Sequence, residues 1–419
     1  MAETLPPAAW SRREDLAALV TALGQGNARY VGGAVRDTLL GLAVKDIDLA
    51  TVLLPDDVIA RCAAAKIKTV PTGIAHGTVT AILAGGPVEI TTLRHDVSTD
   101  GRRATVAFAS DWQDDAARRD FTINALYADP ASGEIADWFG GLADLKARKV
   151  RFIGVPHERI REDHLRILRY FRFQARFGSL PADEASESAC AELAATLKGL
   201  SRERIGMEMM SILSLPDPAP TVARMAGLGV LAVVLPEADC AGLTALVAEE
   251  ARQDVAPDAL RRLAALLPAD ADLASLIAAR FRLSTAQKKR LMSAAGREQK
   301  PLLFRGGVGV GSVPTRSAAS SKPTPSPEEE GALNARTLAY RLGINQALDR
   351  LLLTGQSTAP IKDWAIPRFP LKGGQIVARG VSAGPDVARI LRAVEDRWVA
   401  EGFPGEARVG ELLGEVLAG

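Results

Sequence analysis

The chain has 419 residues, more than one ordinary hydrophobic core organises, so two or more compact units are expected. Its 51 basic and 50 acidic residues leave a net charge of +1, so any nucleic-acid contact must come from local basic surface. The three cysteines, Cys62, Cys190 and Cys240, are isolated and fit neither a disulfide framework nor a structural zinc site.

Ser11 and Glu14 have the spacing of a capping box, helical periodicity runs over 12–23, and Gly24 closes it. Residues 28–31 read as a short strand that leads into Gly32-Gly33, and a helix over 35–40 stops at Gly41. Strand composition follows at 47–51, 78–83 and 88–93. A polar loop is expected over 94–110, after which 121–127 resumes apolar order. Beyond Asp144 the pattern turns helical, with helices expected over 161–177, 182–197, 202–213 and 222–228 and on to about 295. Ser284 and Gln287 form another capping box, stopped at Gly296. Residues 306–331 are rich in Gly, Ser, Pro and Thr and read as a flexible insert, because they bury too little apolar surface to offset ordering. Helical patterning returns over 332–353 and again over 385–401. There is no signal-peptide pattern and no apolar stretch of spanning length, so a cytoplasmic protein with no membrane partner is expected.

The strongest local feature is Gly32-Gly33-Ala34-Val35-Arg36-Asp37, followed by Asp46-Ile47-Asp48. Glycines between a strand and a helix let backbone approach a phosphate, and Arg36 adds positive charge. Residues i and i+2 of a strand share a face, so Asp46 and Asp48 bring two carboxylates together. Such a pair is unfavourable without a cation, and hard oxygen ligands beside a triphosphate suit Mg²⁺. Two ions about 4 Å apart could stabilise both the attacking and the leaving oxygen of phosphoryl transfer. Glu89, in an otherwise apolar strand, either completes this site as a third carboxylate or sits on the solvated face. Arg118-Arg119-Asp120-Phe121-Thr122-Ile123-Asn124 offers forked donors for phosphates and, at Asp120, an acceptor for ribose hydroxyls. As a charged helix start, the same stretch needs no ligand.

In Glu162-Asp163-His164-Leu165-Arg166, continuing to Arg169 and Arg172, helical spacing puts Asp163, Arg166 and Arg169 on one face. The plain reading is an intrahelical ion pair. The chemical reading uses the fact that Arg166 only donates and ionised Asp163 only accepts. Cytosine and adenine each present an acceptor and an amino donor to match that pair; guanine and uracil present the reverse. One protein edge could therefore admit C and A without a nucleic-acid template.

Taken together, these clusters resemble the class II tRNA nucleotidyltransferases (CCA-adding enzymes) and the related bacterial poly(A) polymerases, of the polymerase-beta-like superfamily. The resemblance runs from Tyr30 to Met210. It comprises the glycine motif with D-x-D, H-G-T-V (76–79), R-R-D-F-T-x-N, G-G-x-x-D-L (140–145), E-D-x-x-R and E-R-I (203–205). It implies an α+β protein: a nucleotidyltransferase head with a small five-stranded mixed sheet, followed by an all-α neck, body and tail. The boundaries expected are head 1–145, neck 146–215, body 216–300, insert 301–331 and tail 332–419.

In the family's pattern, Asp46 and Asp48 bind Mg²⁺. Gly33, Arg36 and Arg118 hold the triphosphate, and Asp120 and Asn124 serve ribose and phosphates. Asp163 and Arg166 read the base, supported by Arg169 and Arg172. The implied reaction adds CCA to the 3′ end of tRNA from CTP and ATP. The alternatives are poly(A) synthesis and a non-catalytic RNA- or nucleotide-binding relative. Thr72-Gly73-Ile74-Ala75-His76 stands where the polymerases resemble G-R-R-F, and Asp100-Gly101-Arg102-Arg103 keeps the flexible loop that enzymes adding only CC lack. His164 departs from the family's usual small residue or proline. A basic stretch over 280–300 reads as a tRNA-phosphate surface or a solvated helix face.

Overall fold

The computed structural model describes residues 3–99, 104–109, 111–296 and 326–418. The chain falls into two compact units that part between Pro236 and Glu237.

The first unit begins with α1 (Glu14–Leu23), β1 (Ala28–Val31), α2 (Gly33–Leu39), β2 (Ile47–Thr51), α3 (Pro55–Ala64), β3 (Lys68–Gly73), β4 (Thr78–Leu83) and β5 (Gly86–Thr92). It continues with β6 (Arg94–Thr99), β7 (Ala104–Phe108), α4 (Trp112–Ala117), β8 (Leu126–Ala128), β9 (Ile135–Asp137) and α5 (Gly141–Lys146). Then come α6 (Pro156–Glu162), α7 (Arg166–Phe177), α8 (Glu184–Glu192), α9 (Arg202–Leu213), α10 (Ala219–Gly227) and α11 (Val230–Val234).

The main sheet has seven strands rather than five, in the order β3-β4-β5-β2-β1-β8-β9. It is mixed: β2 and β5 are parallel, and the other pairs are antiparallel. Alternation sorts each strand's residues, so Val88 and Ile90 are buried while Glu89 between them is exposed.

The polar loop expected over 94–110 is instead an antiparallel hairpin, registered from Arg94↔Phe108 to Thr99↔Ala104. Its Thr and Val residues carry strand preference that the surrounding charge had obscured. The motif Asp100-Gly101-Arg102-Arg103 lies outside the described residues. At the first helix Ser11 is not the cap. Its hydroxyl bonds back to Ala8, and the helix starts after extended Arg13.

The expected helix 161–177 is two helices. Asp163 is extended (φ −150°, ψ 104°) between α6 and α7, so helical spacing does not relate it to Arg166. Phe121 packs against Phe152 and Phe173 at 5.0 Å each, fastening the Arg118–Asn124 segment to α7. Gly141 is fixed by close approach: a Cβ there would lie 2.3 Å from the Thr122 carbonyl oxygen.

The second unit contains α12 (Cys240–Arg252), α13 (Ala259–Ala265), α14 (Ala271–Arg280), α15 (Thr285–Ala295), α16 (Pro327–Leu342), α17 (Ile344–Leu353), α18 (Gly373–Val377), α19 (Pro385–Ala400) and α20 (Glu406–Ala418), with no strand among its described residues. The Ser284/Gln287 box caps α15 as expected. Residues 306–325 of the expected insert lie outside the described residues, but its last part is helical. Ser326 and Glu329 form a capping box that starts α16 at Pro327. In the basic stretch, Arg280 pairs with Glu237, and Arg290 pairs with Asp258 and Asp349. No helix among the described residues is long and apolar enough to cross a membrane.

Candidate active site

The glycine turn joins β1 to α2. Gly32 has φ +66°, ψ −122°, a conformation that L side chains rarely adopt, and its N–H donates to the Leu126 carbonyl. Asp46, immediately before β2, is exposed; Asp48 lies within the strand and is half-buried. Glu89 stands in register beside Asp48 on the parallel neighbour β5. Burial pushes the Asp48 carboxyl up to about 6, the charges of Glu89 and Asp46 push the same way, and Arg119 opposes them. Asp48 thus feels both acidic neighbours, but Asp46 lies just outside β2, so strand alternation does not set the pair. Among the described residues, no three His, Cys, Asp or Glu side chains converge into a cage made of protein ligands alone. A carboxyl raised by burial and by acidic neighbours fits a hard cation that completes its shell with phosphate and water oxygens.

The structure shifts the emphasis within the arginine pair. Arg119 Nη1 lies 3.6 Å from where a Cβ on Gly32 would stand, so Arg119 borders both the turn and Asp48. Arg118 turns to Asp115 and to the Arg94 carbonyl. Asp115, only 1% exposed, holds both arginines and accepts from the Tyr127 hydroxyl at 2.5 Å. Burial alone would raise its pKa, but Arg119 and Arg118 hold the carboxyl below the usual range. Sequence reading passed over Asp115, although its i,i+3 and i,i+4 spacing to the two arginines was visible.

Arg36, Asn124, Asp120 and Arg169 form a buried chain of contacts. Arg36 Nη1 donates to Asn124 Oδ1, and Asn124 Nδ2 donates to Asp120 Oδ1 at 2.9 Å. Asp120 Oδ1 also accepts from the Phe121 N–H, while Oδ2 accepts from Nε and Nη2 of Arg169. All the acceptor capacity of Asp120 is thus engaged within the protein, and the expected contact with ribose hydroxyls has no free oxygen to make it.

The Asp163 and Arg166 side chains are not paired, although the Arg166 N–H donates to the Asp163 carbonyl at 3.0 Å. Asp163 Oδ1 accepts from the Leu165 N–H, and Oδ2 from Arg204 at 2.7 Å. Arg166 donates to Glu162 at 2.6 Å and to the carbonyls of Arg159 and Arg118. Arg172 donates to Glu208 at 2.7 Å. So α9 supplies Arg204 and Glu208, one turn apart, to hold Asp163, expected to read the base, and Arg172, expected to support it. The E-R-I motif marked this helix in the sequence; nothing local showed which residues it would face.

Two comparisons by family place the same segments. Residues 28–151 match the poly(A) polymerase head domain, and residues 182–241 match a probable RNA- and SrmB-binding site of polymerase A. The chain is 34% identical over 385 residues to mouse CCA tRNA nucleotidyltransferase 1, mitochondrial, spanning 90% of this chain and 83% of that protein. It is 36% identical over 381 residues to the zebrafish protein of that name, spanning 88% and 83%. In fold it is similar to the crystal structure of Bacillus stearothermophilus CCA-adding enzyme in complex with CTP. The TM-score is 0.66 at 24% identity, over 96% of this chain and 97% of that one.

Proposed function

The chain belongs to the CCA-adding tRNA nucleotidyltransferase family, and we infer from that membership that it adds CCA to the 3′ end of tRNA from CTP and ATP. In this reaction the tRNA 3′ hydroxyl attacks the α-phosphate of the nucleotide, and pyrophosphate leaves. Enzymes of this family use divalent metal ions; the hard, oxygen-only donors here favour Mg²⁺. Asp46 and Asp48 are its proposed ligands, with Glu89 beside them to orient the attacking hydroxyl. The observation that carries the reading is Asp48: a carboxyl raised by burial and by two acidic neighbours, and opposed by Arg119, which also borders the glycine turn. The bound cation would neutralise charge on the phosphates and on the attacking oxygen.

The remaining roles follow from the contacts. Gly33 lets the phosphates approach α2. Arg36, Arg118 and Arg119 are the proposed phosphate donors, the last two held by Asp115. Asp120 and Asn124 act on the nucleotide through Arg169 and Arg36. Asp163 and Arg166 read the base edge, which requires exchanging Arg204 and Glu162 for the base. The division into head (1–145), neck (146–215), body (216–300) and tail (332–419) belongs to the same proposal. So does a cytoplasmic location, supported by three unpaired cysteines.

The test is direct. The purified protein is incubated with tRNA lacking its 3′ trinucleotide, all four nucleoside triphosphates and Mg²⁺, and the products are sequenced. Products ending in CCA are expected. A run of adenylates would favour the poly(A) alternative, and no extension would favour a non-catalytic relative.

A further inference from the structure

Arg36 does not project freely beside the glycine turn. Its guanidinium lies 4.0 Å from the centroid of the Phe177 ring and 5.3 Å from that of Phe173. Its Nε donates to Asp37 Oδ1 at 2.8 Å, Nη2 lies 2.6 Å from the same oxygen, and Nη1 meets Asn124. The other Asp37 oxygen is paired with Arg176 at 3.3 Å. Phe173, Arg176 and Phe177 all lie in the C-terminal half of α7, whose N-terminal half carries Arg166 and Arg169.

These contacts use one N–H on each nitrogen of Arg36 and leave one on each terminal nitrogen. Nη2 lies 3.8 Å from where a Cβ on Gly33 would stand, so a phosphate passing over Gly33 comes within reach of that nitrogen. The Phe177 ring supports the guanidinium from one side, and the Asp37 carboxylate limits its rotation.

We propose that Phe177 and Asp37 are positioning residues that hold Arg36 in the orientation it needs to meet the nucleotide's phosphates. One helix, α7, would then tie phosphate recognition at one end to base recognition at the other. This rests on Arg36 being a phosphate donor, as argued above. Neither Phe177 nor Asp37 touches the nucleotide in this account; both act through Arg36.

The test is steady-state kinetics of the full-length protein with tRNA substrates that accept C or A. Phe177→Leu, Phe177→Tyr, Asp37→Asn and Arg36→Ala are compared, with melting temperatures measured alongside. Phe177→Leu and Asp37→Asn should each raise the KM for CTP and for ATP together, by about five- to tenfold. Inhibition by inorganic tripolyphosphate should weaken in step, while kcat and the KM for tRNA stay near wild type. Phe177→Tyr, which restores the ring, should restore the KM.

If Arg36→Ala raises the nucleotide KM but Phe177→Leu and Asp37→Asn do not, the positioning role is wrong and the phosphate role of Arg36 survives. If Arg36→Ala leaves the KM unchanged, the phosphate role itself fails and takes the positioning role with it. A fall in kcat and tRNA affinity that tracks a lower melting temperature, unrestored by the tyrosine, would reduce both residues to packing and overturn the proposal.

Discussion

Asp115 shows how much of the site depends on one side chain that contacts no substrate in this account. It is buried, and it fixes Arg118, Arg119 and the Tyr127 hydroxyl together. Asp115→Asn keeps the shape and removes the charge. It should raise the KM for both nucleotides about tenfold and cost roughly 1–3 kcal/mol of stability; unchanged kinetics would show that the arginines do not need it. Asp48 makes a prediction of opposite sign. Its carboxyl is raised to about 6, against an ordinary value near 4, so above pH 6 the ionised group opposes folding. Asp48→Asn should therefore melt at a higher temperature than wild type above pH 6 in metal-free buffer. The difference should shrink as the pH falls from 6 towards 4, because the folded Asp48 carboxyl takes up its proton over that range. Melting curves between pH 4 and 8 check this. Asp46, Asp48 and the glycine turn were legible in the sequence because their chemistry is local. The choice between Arg118 and Arg119 was not, because it depends on which side Asp115 and Tyr127 hold each guanidinium.

At the scale of elements, the break between α6 and α7 matters most. Extended backbone at Asp163 frees its carboxylate from helical geometry, and Arg204 of α9 takes it up. Arg204→Gln should leave the KM for tRNA near wild type while loosening the choice of C and A over G and U. Single-turnover incorporation of each of the four nucleotides measures this, and equal loss for all four would contradict it. The sequence suggests one helix here because periodicity on both sides is helical, and nothing in Glu162-Asp163-His164 announces an extended residue. The hairpin over β6 and β7 was missed for a related reason: its partners meet across chain reversal, and charge masks their alternation. The strands β2 and β4 were legible because each carries a buried apolar face that imposes its own period. Ser326 began a helix inside a stretch read as flexible. Its capping box with Glu329 should contribute about 1 kcal/mol, measurable as a lower melting temperature in Ser326→Ala.

The molecule as a whole divides its labour between a mixed α/β unit that carries the proposed chemistry and a second unit whose described residues form helices and loops. The second unit holds a buried ion network: Arg261 pairs with Glu250 and Asp349, Arg262 with Glu250, and Arg290 with Asp349. Removing one partner strands a buried charge, so Asp349→Ala should destabilise this unit by about 3–5 kcal/mol. Calorimetry should show one transition moving while the transition of the first unit stays, and coincident shifts would contradict separate unfolding. The change from mixed to helical character near residue 145 was legible from periodicity. The buried network was not, since its bonded partners lie up to 88 residues apart in the chain. The central claim remains that the Asp46 and Asp48 carboxylates carry metal-dependent nucleotide addition. Asp46→Asn and Asp48→Asn, assayed for CTP and ATP incorporation into tRNA lacking CCA, test it most directly. Addition should fall by about a thousandfold or more in each, with circular dichroism and tRNA affinity preserved; turnover near wild type in either variant would contradict the account.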